Sequence, residues 1–332
     1  MWRAAVVISL FLTATVILCV AAFRGYALGT FVIAPLCAGC LSTLLSHRWG
    51  DGSTGQSIKI LSLALLCTAV ALIAVAFEGL ICIIMAAPLA FCLGLAGVLI
   101  TAAATRRGAR RGMALPLLLF SPAVSFTETF LAPNQPWTPV ETTVEIHAPP
   151  AVVWRHVIEF SELPRADEWY FRAGLAYPLR ARIEGRGVGA IRYCEFSTGP
   201  FVEPIQVWDE PRLLKFSVTS SPAPMRELSP YRIHPPHLDG YFESRQGQFL
   251  LEPLPGGRTR LRGTTWYALR IRPLPYWSLW SDTIIHRIHW RVLHHIRSLA
   301  EAEAHANSSI DRGQSDPNNR DNERSANTLP PV

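Results

Sequence analysis

Cysteine is scarce where a disulfide scaffold would need it. Of the seven cysteines, Cys19, Cys37, Cys40, Cys67, Cys82 and Cys92 fall in apolar runs near the N-terminus, leaving Cys194 alone in the more polar half. That half can form no internal disulfide, so a packed core must hold it, and its redox compartment stays unread. Charge is also thin: Asp, Glu, Lys and Arg supply only 17% of the 332 residues against 49% hydrophobic, more than soluble cores of this length need. No internal repeat recurs.

The apolar excess sits at one end. Ala4–Phe23, Ala27–Ser46, Ile58–Phe77 and Leu80–Ala104 each reach the roughly 20 residues that cross a ~30 Å hydrocarbon core as a helix. The first run is longer than a signal-peptide core and others follow at once, so it reads as an uncleaved anchor. Arg3, Arg48, Lys59 and the cluster Arg106, Arg107, Arg110 and Arg111 lie on one side, with only Arg24 on the other. The positive-inside bias then puts the N-terminus and the arginine cluster in the cytoplasm of a bacterial-type inner or plasma membrane. Met113–Leu131 has no Lys or Arg, but Pro116, Pro122 and Glu128 interrupt it. The expected arrangement is a fifth crossing that carries the soluble domain outside the cytoplasm; the alternative, a proline-bent segment in the inner interface, would keep it inside. The net charge of +6 is concentrated beside a span, which suits anionic headgroups and argues against nucleic acid.

The organisation is therefore an anchor over residues 1–131, a stiff Pro-rich linker over 132–139, a soluble domain over 140–304 and a polar, disordered tail over 305–332. In the soluble domain Val140–His147, Leu179–Glu184, Val188–Ser197, Phe201–Trp208, Arg212–Thr219, Tyr241–Leu254 and Arg258–Ile271 read as strands separated by hairpin-like turns. From about Tyr276 a helix puts Trp277, Ser281, Ile284, Ile285, Ile288, Val292, His295, Ile296 and Leu299 on one stripe. The class is α+β: four to five transmembrane helices, then a seven-stranded antiparallel sheet around a long C-terminal helix.

Several segments carry this further: Ile146-His147-Ala148-Pro149-Pro150-Ala151-Val152-Val153-Trp154, the hairpin Gly185-Arg186-Gly187-Val188-Gly189, the turn Trp208-Asp209-Glu210-Pro211 before Leu213-Leu214-Lys215-Phe216, and the closing helix. In these the chain resembles the START-type, or polyketide cyclase/dehydrase-like, superfamily over about half its length. The resemblance implies a helix-grip fold that holds a hydrophobic ligand between a curved sheet and the last helix. None of these segments is a catalytic signature, and relatives of this type include lipid carriers, hormone receptors and cyclases. A fused multi-span anchor departs from the soluble relatives and implies a ligand met at the bilayer.

Other motifs have blander readings. Gly185-Arg186-Gly187-Val188-Gly189-Ala190 fits a dinucleotide fingerprint but leads into a strand, not a helix, so it reads as a hairpin. Cys37-Ala38-Gly39-Cys40 has redox spacing but no polar partner, and Ala86, Ala90 and Gly94 form a small-residue line on which another helix could pack. Asp282, His286 and His289 share the edge of the last helix's apolar face; the spacing suits an acid-base pair or a metal, and equally a helix stitched to its sheet. Glu195 and Glu203 flank one turn and could form a carboxylate pair. The loop over residues 222–240, with its prolines, is long enough to cover a site.

The expected function is the binding, as carrier or sensor, of a hydrophobic small molecule or lipid. Glu195, His237, Asp282 and His286 are the candidate polar contacts and Trp266 and Trp277 the apolar walls, with no cofactor or metal. The alternatives are a cyclase or dehydratase using the Asp282/His286 pair or Glu195, and a partner-binding domain with a filled core. Ligand identity and oligomeric state stay open.

Overall fold

The structure is a computed structural model that describes residues 1–23, 26–106, 114–130, 136–229, 231, 235, 238 and 240–314. His237, three arginines of the basic cluster (Arg107, Arg110 and Arg111) and most of the 305–332 tail lie outside the described residues.

The first half is helical: α1 (Trp2–Phe23), a π-helical turn (Gly29–Ile33) running into α2 (Ala34–Trp49), α3 (Thr54–Ala74), α4 (Leu80–Arg106) and α5 (Ala114–Phe130). Four stretches, Trp2–Ala22, Gly29–Trp49, Thr54–Ala74 and Leu80–Arg106, are long and apolar enough to cross a membrane. Ser53 caps α3 by accepting from the Gln56 amide, one of the four donors a helix start leaves open. Glycines bring α2 and α4 together: a Cβ at Gly39 would lie 1.8 Å from the Gly94 carbonyl oxygen, and one at Gly97 would lie 2.2 Å from that of Leu36. Small residues serve close backbone approach where apolar solvent offers no hydrophobic drive. Cys40 takes part in the same contact, its thiol directed at the Gly97 carbonyl at 3.7 Å.

The interrupted fifth segment forms α5, 17 residues long. Glu128 accepts from the Leu28 and Gly29 amides at 3.1 and 3.0 Å, and Ser121 donates to the Gly29 carbonyl at 2.7 Å. The carboxylate thus caps the positive end of the second span's helix.

The second half forms β1 (Thr138–Ile146), α6 (Pro150–Ile158), α7 (Trp169–Arg172), β2 (Pro178–Glu184), β3 (Ile191–Phe196), β4 (Gly199–Asp209), β5 (Leu213–Ser217), β6 (Phe242–Leu254), β7 (Arg258–Leu269) and α8 (Leu274–Gln314). The strands make one antiparallel sheet in the order β1-β7-β6-β5-β4-β3-β2, curled into a half-barrel with α8 across it. Strand alternation builds the core: β1 buries Val140, Thr142, Val144 and Ile146 and exposes the residues between them. Trp154, Val157, Leu214, Leu261, Leu293 and Ile296 fill the closed end. The last helix runs to Gln314, beyond the expected end near Ala304, because nothing in the chain after Leu299 breaks it sooner: no proline lies between Leu299 and Gln314, and the first glycine is Gly313.

The domain sits against the end of the bundle that carries the α1–α2 and α3–α4 connections, away from the N-terminus. The Arg272 amide donates to the Tyr26 carbonyl at 2.9 Å, the Leu80 amide to the Leu228 carbonyl at 3.0 Å and the Tyr276 hydroxyl to the Met85 carbonyl at 2.5 Å. Phe31 meets Trp277 edge to face at 4.8 Å between centroids.

Candidate functional site

A cavity of about 640 Å³ lies where the bundle meets the domain. From the domain come Leu175, Met225 and Leu269 and the α8 stripe Trp277, Ser281, Ile284, Ile285 and Ile288; from the bundle come residues of α1, α3 and α4. Its size falls within the roughly 300–1,000 Å³ of small-molecule sites. The wall is almost entirely apolar, with Tyr26 and Glu78 as the main polar pair, the tyrosine donating to the carboxylate at 2.5 Å. Leu66 is 62% exposed and Ile84 52% exposed while both line the cavity, so it opens on the apolar flank of the bundle.

A second chamber, about 120 Å³, lies deeper between the sheet and α8. Phe196, Phe201, Phe242, Ile285 and Ile288 line both cavities, and Arg192, Cys194, Glu203 and His289 line the inner one alone. Arg192 and Glu203, paired by the β3–β4 register, form an ion pair with side chains only 2% and 8% exposed. Burial acts against the Arg192 charge, and the adjacent carboxylate restores it; burial pushes the Glu203 carboxyl up, with Arg192 pulling it back. The Arg192 Nε donates to the Ile158 carbonyl at 3.1 Å, and the rings of Phe160, Phe216 and Phe249 surround the guanidinium at 5.5–5.6 Å. Burial pushes the neighbouring Cys194 thiol up to about 12, so it stays protonated.

The polar residues of α8 face β1 and β7. Asp282 accepts from the Tyr267 hydroxyl at 2.6 Å, and burial followed by this carboxylate raises the tyrosine. His286 shares the Thr142 hydroxyl with His289 at 2.8 and 3.0 Å, and the other His289 ring nitrogen meets Thr265 at 2.8 Å. Burial and then the neighbouring His286 lower His289 to about 4. Asp282 and His286, paired in the acid-base reading, thus each bond a different residue of the sheet. Among the described residues no group of three or more His, Cys, Asp or Glu is placed to hold a metal ion.

The other candidates separate by strand parity. Arg192 and Cys194 point in, which turns Glu195 to the outer face, where it accepts from Arg180 at 2.7 Å and Arg182 at 3.3 Å. The Arg180 hydrogen bond holds its carboxyl below the usual range. Glu195 and Glu203 therefore lie on opposite faces of the sheet. Trp266 is half-buried with Lys215 over its ring at 5.7 Å, whereas Trp277 is a cavity wall. Sequence reading missed Arg192, although the parity that buries Cys194 buries it too.

Residues 138–282 match the family described as polyketide cyclase / dehydrase and lipid transport. No curated protein matches the chain. Among solved structures, a point mutant of norcoclaurine synthase from Thalictrum flavum in complex with a transition-state analogue is 12% identical. It covers 52% of this chain and 98% of its own, with a TM-score of 0.33. A protein from Nitrosospira multiformis is 16% identical over 51% of this chain and 99% of its own, with a TM-score of 0.32. A protein from Nitrosomonas europaea is 14% identical over 50% and 95%, with a TM-score of 0.31. The strand order, the closing helix and the family match make residues 138–282 a domain of the polyketide cyclase/dehydrase and lipid transport family, set on four long apolar helices.

Proposed function

We propose that this chain is a membrane-anchored carrier or sensor that binds a hydrophobic small molecule or lipid in the cavity between its domain and its apolar helices. The observation that carries the reading is the composition of the wall: α8 and the sheet supply one side, and α1, α3 and α4 the other. The opening beside Leu66 and Ile84 lies on the surface that would face lipid. A ligand can then pass from bilayer to cavity without crossing water, and the helices are part of the site as well as its tether. In this reading Trp277 is a ligand wall, the N-terminus and arginine cluster are cytoplasmic, and the domain lies on the outer side of the membrane.

The test is native mass spectrometry of the full chain released from detergent, with organic extraction of any adduct, for the parent and for Ser281→Phe, which fills the cavity from α8. A lipid-sized adduct in the parent that is lost in a normally melting variant supports the reading. An adduct that the variant retains at full occupancy, or a parent that takes up no lipid from mixed vesicles, would sink it.

A further inference from the structure

The outer flank of α8, turned away from the cavity, carries a cleft of its own. It measures about 450 Å³ and runs between α8 and the segment joining α6 to α7, including Leu163 and Pro164. Arg291 is built into it: its Nη2 donates to the Pro164 carbonyl, its guanidinium lies 5.5 Å from the centre of the Tyr177 ring, and its Nη1 is 3.7 Å from the Glu168 carboxylate. Arg287, one turn earlier, lines the same cleft from an exposed position and pairs with no carboxylate among the described residues. Two guanidiniums thus stand against one carboxylate, which leaves surplus positive charge. Burial and then Glu168 raise the Tyr170 hydroxyl, and both guanidiniums pull it back, so their fields meet at the cleft wall.

The neighbours of the cleft set its height above the spans. Tyr170, in its wall, and Ile288, next to Arg287, pack in one cluster with Cys82 and Met85 of the fourth span. Along the outer side of α8 the positions nearest the bundle, Pro275, Leu279 and Thr283, carry no charge, and Leu279 is 66% exposed. Charge begins at Arg287, with the exposed Trp290 and His294 just beyond. Arg287 lies about 16 Å along the helix from Tyr276, whose hydroxyl reaches the Met85 carbonyl. Trp169, beside Glu168, is 73% exposed on the facing segment. Bare apolar surface that gives way to tryptophan and arginine is the order met on passing from hydrocarbon to headgroups.

We propose that this cleft holds the phosphate of a phospholipid from the surrounding leaflet, seated between Arg287 and Arg291, and that the first turns of α8 lie in that leaflet beside the fourth span. This rests on the membrane-anchored reading above, but not on the cavity holding a ligand. Guanidinium forks match phosphate oxygens, and Arg291 is held in place for the task by Pro164 and Tyr177. Arg287 supplies the charge that Glu168 leaves unopposed. The cleft is open to solvent, so the phosphate keeps part of its hydration and escapes the penalty of a buried ion. A lipid seated there sends its chains down past Leu279 and Ile84, two exposed apolar side chains; free phosphate gains nothing from that flank.

The experiment uses delipidated full-length protein in detergent, with native mass spectrometry reading competition between phosphatidylglycerol and diacylglycerol of the same acyl chains. Phosphatidylglycerol is expected to be preferred, and Arg287→Gln to weaken its binding about fivefold, equivalent to ~1 kcal/mol, while Arg287→Lys keeps most of it. Phosphatidylglycerol carrying a diazirine on its headgroup is expected to crosslink within residues 163–170 or 287–298. Repeating the competition in Ser281→Phe separates this site from the cavity: the preference is expected to persist whether or not the cavity adduct is lost. Equal binding of the two lipids, unchanged binding in Arg287→Gln, crosslinks confined to other residues, or a preference abolished by Ser281→Phe would overturn the proposal. Displacement of the lipid by excess inorganic phosphate would also overturn it, by showing that the cleft takes a free anion. None of these outcomes touches the cavity reading, which its own adduct decides.

Discussion

Removing Glu203 tests whether the Arg192 pair holds the inner wall together. In Glu203→Leu the guanidinium keeps the Ile158 carbonyl and three phenylalanine faces, but loses its only carboxylate in a position 2% exposed. Breaking a buried pair by removing one partner costs about 3–5 kcal/mol, and the cation–π contacts already present supply no new compensation. For a domain of this size each kcal/mol shifts Tm by about 2–4 °C, so a fall of about 6–20 °C is expected. The assay is thermal melting of the full chain in detergent, followed by tryptophan emission, since Trp154 is buried in the same core beside Trp208. The double variant Arg192→Met/Glu203→Leu replaces both ions by apolar side chains and should recover most of the loss. A drop below about 3 °C in the single variant, or a double variant no more stable than the single, would refute the reasoning.

His289 gives stability a defined pH dependence. Its pKa is about 4 in the folded chain against an ordinary 6.5, so between these values the unfolded state binds more protons and stability falls as pH falls. The loss approaches about 3 kcal/mol by pH 4, and melting curves of His289→Gln should lack that component. Gly39→Leu forces a side chain into the Gly94 carbonyl and should separate α2 from α4, lowering Tm by several degrees or dispersing the protein on size exclusion; an unchanged Tm would contradict the packing. Glu128→Ala frees the Leu28 and Gly29 amides, costs about 1 kcal/mol and should speed hydrogen exchange over residues 28–33.

The elements that were legible in the sequence are those governed by one local rule. Uninterrupted apolar length located the four long helices, and period-two alternation located seven strands, because each pattern reports a single environment. Faces were harder. Glu195 and Glu203 are equally isolated acidic residues in the text, and only parity counted from a buried neighbour such as Cys194 separates the outer from the inner. Asp282 and His286 share a helical stripe, but which strand residue each meets depends on sheet curvature, a long-range property. The bundle's share of the cavity had no local signal: Leu66 and Ile84 look like any lipid-facing residue until the domain is packed beside them. Glu128 could be seen as an awkward carboxylate near an interface, but its partners lie about a hundred residues earlier in the chain.

Because bundle and domain close one cavity together, the excised domain should behave badly in water. Leu175, Met225, Leu269 and Trp277 are all at most 9% exposed, and Ile81, Met85, Ala86 and Phe31 of the bundle pack against their clusters. Cutting the chain before residue 136 uncovers these side chains together with the cavity wall, forming one continuous apolar patch. Monomeric soluble proteins rarely expose patches beyond a few hundred Å², so the fragment should self-associate or bind a hydrophobic dye, while its closed end around Trp154 and Ile296 still folds. Size exclusion with light scattering and dye emission on residues 136–314 reads this directly. A monodisperse monomer that excludes dye and melts with the full chain would mean the bundle merely touches a self-sufficient domain, and the shared-wall account of ligand binding would fall with it.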